Sequence, residues 1–344
     1  MNDQQRLIAI ASTFMWVAAS LMLLSIQAKA APPASGKAEI SESKRPVGTW
    51  RFRKHNRPVK VVAMGGSSTV YYRGNYTKFM EMACKNVEVK NLGKTGMGIK
   101  DLKIRYDRQV ASNRHISTRH NEIWVMTRGG LNSIFNPERV NWFLSKLFRS
   151  AKKRGFKTLA LSLTPWGKER DKDRWWGLKG LESKRATQLT VDYLMGRLDP
   201  AKALGRYAKS ASWQAGELPD IAVDLFDTDM RTKAAKLRNP KLARGQLTEA
   251  RWVRKKMKNM APMDRTAFLD KLVAELVDVP RWHLRKDLRA FDAVHPNTSG
   301  HREIAKKACP KLPKNWGCDC ALMDRIVWGK KGLEIKGVRT AKAD

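Results

Sequence analysis

Five short apolar runs, each halted by glycine or a polar turn, constrain this chain more than any other feature. They are Val59–Met64 before Gly65-Gly66, Val87–Leu92 before Gly93, Glu122–Thr127 before Gly129-Gly130, Thr158–Leu163, and Ile221–Phe226. Runs of this length bounded by turn residues are strands buried on both faces. Helical stretches lie between them. Tyr72–Ala83 is one, and Pro137–Lys153 carries Val140, Phe143, Leu144, Leu147, Phe148 and Ala151 at helical spacing, with Gly155 as its stop. Strands alternating with helices predict an α/β fold with a mainly parallel sheet covered on both faces.

Elsewhere the rhythm changes. Thr187–Tyr207 has helical character, and residues 228–290 read as a helical, very basic insertion packed over or beside the sheet. Residues 31–57, rich in Pro, Ser, Lys and Arg, read as a mobile basic linker. Residues 326–344 read as a disordered basic tail. There is no internal repeat.

With 42% hydrophobic and 29% charged residues over 344 positions, the chain is globular and not intrinsically disordered. Its net charge of +36 predicts attraction to polyanions: nucleic acid, acidic glycans or anionic lipid headgroups. The N-terminus narrows that set. Arg6 precedes an uncharged run from Leu7 to Ile26, and Ala28-Lys29-Ala30 offers an A-x-A cleavage site. Residues 1–30 therefore read as a secretory signal or an uncleaved anchor, which places the remainder outside the cytoplasm. Export argues against nucleic acid and for envelope polymers or an anionic membrane surface. It also permits disulfides among Cys84, Cys309, Cys318 and Cys320, with Cys309 expected to pair with Cys318 or Cys320. The C-x8-C-x-C spacing matches no zinc finger and contains no histidine, so no metal site is expected.

The chemistry-bearing residues fall at predicted strand ends, where a parallel sheet collects function. Gly65-Gly66-Ser67 forms a turn that can lift the Ser67 hydroxyl clear of the sheet. Asn91-Leu92-Gly93 offers a backbone N–H at the same edge, and Gly130-Leu131-Asn132 a carboxamide donor. Asp292-Ala293-Val294-His295 places a carboxylate three residues before a histidine, close enough to accept Nδ1–H and leave Nε2 as a base. A helix opened by Thr298 or Ser299 follows. A nucleophile, two donors and an oriented base thus occur in order along the chain.

These four blocks resemble those of the SGNH hydrolases, the GDSL-type esterase superfamily, over roughly Val59 to Cys309. The final block, with Pro296, Asn297, Gly300 and His301, is its most specific part. The resemblance implies a flavodoxin-like three-layer α/β/α sandwich spanning 58–325 and ester hydrolysis through an acyl-enzyme without a cofactor. It implies Ser67 as nucleophile, His295 as base, Asp292 as its orienter, and an oxyanion hole of Ser67 N–H, Gly93 N–H and the Asn132 side chain. Two positions depart from the pattern: Gly66 and Ser133 stand where the family has aspartates, so the loop packing those acids support must be supplied otherwise.

The expected substrate is an ester with a short acyl group, such as acetyl, on an anionic carbohydrate or envelope polymer. A lipid esterase or lysophospholipase, and a non-catalytic polyanion-binding protein on a hydrolase scaffold, are the alternatives. Trp175 and Trp176, with Trp166 nearby, follow the fourth strand and serve either as a sugar-stacking wall or as core of the insertion.

Overall fold

The computed structural model describes residues 47–329 and 332–337. The candidate signal or anchor at 1–30, most of the candidate linker and the final residues lie outside them. Among the described residues no helix is long and apolar enough to cross a membrane.

Five strands, β1 (Val59–Gly65), β2 (Val87–Asn91), β3 (Glu122–Arg128), β4 (Lys157–Leu161) and β5 (Ile221–Val223), form one sheet in the order β2-β1-β3-β4-β5. Every neighbouring pair is parallel. In chain order the α-helices of the described residues are α1 (Ser67–Val70), α2 (Tyr76–Ala83), α3 (Ile99–Tyr106), α4 (Pro137–Lys153), α5 (Leu178–Leu194), α6 (Pro200–Leu204), α7 (Pro240–Glu249), α8 (Arg251–Met257), α9 (Pro262–Asp278), α10 (Thr298–Ala308) and α11 (Leu322–Arg325).

The period-two geometry of β1 sorts its side chains into two cores. Val59, Val61 and Ala63 join Phe79 and Met80 of α2 and Ile304, Ala305 and Ala308 of α10. Val62 and Met64 join Leu102 of α3, Leu144 and Phe148 of α4 and Tyr193 of α5 on the opposite face. This is the three-layer sandwich the alternating sequence predicts. Its strand order is the flavodoxin-type order, in which the chain's direction of winding reverses between β1 and β3 and leaves a crevice at their carboxyl ends.

A third core belongs to the insertion. Leu247 of α7, Leu272 and Leu276 of α9, and Trp166 and Trp175 pack with Ile134, Leu163 and Val294, residues that follow β3, β4 and the Asp292 turn. The basic insertion is therefore helical and sits at the carboxyl edge of the sheet.

Two expectations are corrected. The described part of the 31–57 segment is a strap, because Trp50 and Phe52 give it apolar anchors against the second core. Trp50 Nε1 donates to Gln109 O at 2.9 Å, and Gly48 N to Arg108 O at 2.8 Å. Nor are residues 326–329 and 332–337 a disordered tail. Ile326–Gly329 and Gly332–Ile335 pair as antiparallel strands whose Ile326 is fully buried, with Leu333 and Ile335 against the first core.

Disulfides Cys84–Cys318 and Cys309–Cys320 fasten the segment after α10 to α2 and to the end of α10 itself. The second is one of the two pairings expected for Cys309.

Candidate active site

Ser67 is the first residue of α1 and follows β1 by one glycine. Gly65 permits the tight exit: a Cβ there would lie 2.4 Å from Arg128 O and 2.1 Å from Thr69 Oγ1. Gly66 is not under that pressure, since the nearest atom to a Cβ is Asn132 Nδ2 at 3.7 Å. The first-turn N–H of Ser67 has no acceptor within its helix.

His295 lies 228 residues later, yet its Nε2 is 2.5 Å from Ser67 Oγ. Its Nδ1 bonds Asp292 Oδ2. The carboxylate fixes the tautomer: it accepts the hydrogen bond from Nδ1–H and leaves Nε2 as acceptor for the serine hydroxyl. Asp292 also builds the turn that holds the ring, because its Oδ1 accepts the N–H groups of Val294 and His295, each at 3.0 Å. Burial alone would raise the Asp292 pKa. The bonds from the His295 N–H, the His295 ring and the Val294 N–H outweigh it and hold the carboxyl below its ordinary value. Within this turn Ala293 has φ 57°, a left-handed conformation unfavourable for a residue with a Cβ.

The turn is clamped on three sides. Ala290 N donates to His295 O and Gly167 N to Ala293 O, both at 2.7 Å, and Asn297 N to Leu288 O at 2.9 Å. Asn297, and not Thr298 or Ser299, caps α10: its Oδ1 accepts Gly300 N while its Nδ2 donates to Asp287 O and Arg289 O. Only a carboxamide could serve both sides. Gly300 is required by close packing, a Cβ there falling 2.2 Å from Leu288 O. His301 is fully buried and stacks on Tyr71 at 4.8 Å; burial, with Arg128 and His295 nearby, holds its pKa well below the ordinary value. It packs α10 and has no part in proton transfer.

Asn132 lines the same cavity as Ser67, a space of about 20 Å³ bounded also by Met97, Arg128 and Leu163. One Asn132 amide proton goes to Met97 O at 3.1 Å, leaving the second as a donor. Gly130 sets the loop: its φ is 107°, and a Cβ would meet Val140 Cγ1 at 2.7 Å.

Gly93 departs from the expected role. Its N–H donates to Asn91 Oδ1 at 2.9 Å, and it is not among the residues around the Ser67 cavity. The glycine is needed because a Cβ would press on Thr69 and Val70 of α1, at 2.8 and 3.0 Å. Asn91 in turn holds α1 through Nδ2 and Thr69 O. The donors assembled at the serine are thus Ser67 N–H and Asn132.

Both departures from the four-block pattern have structural answers. Ser133 Oγ accepts Ile99 N at 3.1 Å, tying the Asn132 loop to the start of α3. The α1 turn is held by Asn91 and by the bond between Thr69 Oγ1 and Tyr76 Oη at 2.9 Å, so Gly66 needs no carboxylate.

Arg128 was not anticipated from the motifs. It ends the central strand β3, is 6% exposed, and borders the Ser67 cavity. Its Nη2 donates to Thr164 Oγ1 at 2.9 Å and its Nε has no acceptor. Among the described residues no carboxylate pairs with it. Burial lowers its pKa, only to about 10, so it stays cationic at neutral pH. A charged residue closing an otherwise apolar central strand was the available signal.

The two tryptophans separate. Trp175 is fully buried, set edge-on against Trp166 at 4.9 Å and His283 at 4.8 Å, so it is insertion core and touches no substrate. Trp176 is 54% exposed. No cluster among the described residues has the ligands to hold a metal ion.

No family model and no curated protein matches the chain. Several solved structures are similar in outline. One is a member of the lipolytic G-D-S-L family from Veillonella parvula, 15% identical with a TM-score of 0.41, covering 73% of this chain and 97% of the other. An acetyl xylan esterase is 16% identical with a TM-score of 0.42, covering 74% and 100%. An acetyl xylan esterase from Geobacillus stearothermophilus is 14% identical with a TM-score of 0.36, covering 79% and 97%. With scores and identities this low, nothing about activity or substrate is taken from them. The functional reading rests on the triad of Ser67, His295 and Asp292.

Proposed function

We propose that the protein is an SGNH-type serine ester hydrolase that removes short acyl groups, acetyl foremost, from a carbohydrate or envelope polymer outside the cytoplasm. The observation that carries this reading is the continuous Ser67–His295–Asp292 relay at the crevice between β1 and β3.

In the first half-reaction His295 Nε2 takes the Ser67 proton as Oγ bonds to the ester carbonyl carbon. The tetrahedral oxyanion faces Ser67 N–H and the free Asn132 amide proton, with the Arg128 cation adding positive potential. His295 then delivers its proton to the leaving alcohol, and the acyl group remains on Ser67. In the second half His295 deprotonates a water that attacks the acyl-enzyme, releasing the acid and restoring the serine. No cofactor enters this sequence.

A cavity of about 20 Å³ beside Ser67 supports a small acyl group, since it has room for little more than one water-sized group. Two disulfides support an oxidising compartment. The test uses p-nitrophenyl acetate and p-nitrophenyl octanoate with Ser67→Ala as control. Acetate turnover that vanishes in Ser67→Ala is expected. Octanoate preference would move the substrate to lipids, and turnover undiminished in Ser67→Ala would overturn the assignment.

A further inference from the structure

An open cavity of about 730 Å³ lies beside the insertion and not over the serine. Its two walls are nevertheless built from segments bonded to the catalytic turn. One wall begins at Lys168, next to Gly167, whose N–H donates to Ala293 O. The other ends at Arg289, which bridges to Pro296, while Ala290 donates to His295 O. A molecule in the groove therefore lies against two segments that are bonded to the turn carrying Asp292 and His295.

The lining is strongly cationic. Lys168, Arg170, Lys236, Lys286 and Arg289 border it, and none of the five forms an ion pair among the described residues. Arg238 is different. Its guanidinium holds Glu169 through two bonds of 2.6 and 2.9 Å and also donates to Trp175 O and Gly177 O, so it is scaffold and consumes the groove's lone carboxylate. Between the cations the half-exposed indole of Trp176 and the side chain of Leu237 supply an apolar wall. His283 borders the same cavity and is 5% exposed; its Nε2 has no hydrogen-bond partner among the described residues and lies 4.0 Å from Glu169 Oε2. Burial, then Arg238 and Arg289, lower its pKa to about 3, so the ring borders the groove as a neutral imidazole.

Five unpaired cations along one groove exceed what a single carboxylate needs and match a polymer with repeated negative charge. The flat indole and the buried neutral imidazole match sugar faces and hydroxyls better than stacked bases or acyl chains. We propose that this groove binds a carboxylated polysaccharide, a polyuronate chain, and presents its O-acetyl esters to Ser67. The presentation step rests on the ester-hydrolase reading; the binding step does not.

Direct binding is measured first, by titrating the full-length Ser67→Ala protein with de-esterified polygalacturonate at moderate salt. Substituting Lys168, Arg170 and Lys286 together by Glu is expected to weaken binding at least tenfold, and Trp176→Ala severalfold. Unchanged binding in both variants, or equal binding of a neutral dextran by the parent, overturns the proposal. So does tighter binding of phosphatidylglycerol vesicles or single-stranded DNA that the same variants abolish. The Ser67-containing chain is then compared on chemically acetylated polygalacturonate, acetylated dextran and p-nitrophenyl acetate. The triple variant is expected to raise KM for the acidic polymer alone, about tenfold, and to leave p-nitrophenyl acetate within twofold. Equal KM increases on both polymers would contradict the groove. Loss of all turnover in the parent, with polyuronate binding intact, would sink the esterase reading and leave the groove standing.

Discussion

At the scale of single residues the site is a set of close approaches that glycines permit and polar side chains exploit. Gly65 and Gly66 are adjacent and have opposite constraints. Gly65→Ala drives a Cβ into Arg128 O and Thr69 Oγ1. It should cost about 1–3 kcal/mol and much of the activity. Gly66→Ala meets nothing closer than 3.7 Å and has an ordinary φ of −84°, so it should fold and turn over ester within a few fold of the parent. Thermal melts and p-nitrophenyl acetate rates on both variants check this; equal effects would mean the turn is held differently. Asn132→Ala removes a side-chain donor while leaving Gly130 to shape the loop. A loss of about 10²–10³ in kcat with little change in KM is expected. Unchanged kcat in a folded Asn132→Ala variant would remove Asn132 from the oxyanion hole. The grouping of Ser67, Asp292 and His295 was legible in the sequence because Ser67 follows a buried strand and Asp292 stands three residues before a histidine. Gly93 was misread because a glycine at a strand end fits two uses, an N–H donor and a clearance for α1, and only the position of Asn91 Oδ1 tells them apart.

At the scale of elements, sequence periodicity located every strand of the main sheet and missed features set by single polar contacts. The helix expected from Tyr72 begins at Tyr76, because Gly74 takes φ 83° and Asn75 Oδ1 accepts Thr77 N and Lys78 N. Helix α3 escaped notice because its buried residues, Ile99, Leu102 and Tyr106, are few and sit among lysine and arginine. Strands β1 and β2 carry a further device. Lys60 is 3% exposed and bonds Glu88 at 2.8 Å across the pair, while Glu88 also accepts Arg53 N and Lys54 N from the N-terminal strap. Burial opposes the charge on Glu88, but the bonds from Arg53, Lys60 and Lys54 prevail and its pKa lies below 4.5. A carboxyl with a lowered folded-state pKa stabilises above its unfolded value and loses that contribution as pH falls through the folded one. Glu88→Gln strands the Lys60 charge and should cost about 3–5 kcal/mol at neutral pH. The stability difference between parent and variant should shrink as pH drops below 4.5. Urea unfolding from pH 7 to pH 3 reads this out, and a difference constant across that range would contradict the paired-charge account.

At the scale of the whole molecule, the order β2-β1-β3-β4-β5 brings Ser67, Asn132 and the Asp292 turn to one crevice from positions spread over more than two hundred residues. Strand–helix alternation predicts the layers, and the recurrence of functional residues at strand ends predicts a shared edge. Neither yields the separation of roles between the insertion's two tryptophans. Trp175 and Trp176 are equivalent in composition and adjacent in sequence, and only the packing of Trp166, His283 and Arg238 around the first decides which is core. The surplus of 36 positive charges is plain in the sequence. Its concentration near the Asp292 turn depends on a fold in which the segments carrying Lys168 and Arg289, more than a hundred residues apart, are bonded to the same four-residue loop through Gly167 and Ala290.

The central claim is that Ser67 is a nucleophile activated by His295. It is tested most directly by the mass of the intact protein after exposure to a p-nitrophenyl alkylphosphonate, followed by peptide mapping. One phosphonyl group is expected, on Ser67, absent in Ser67→Ala and formed at least a hundredfold more slowly in His295→Ala. A label on another residue, or equal rates in the parent and in His295→Ala, would contradict it.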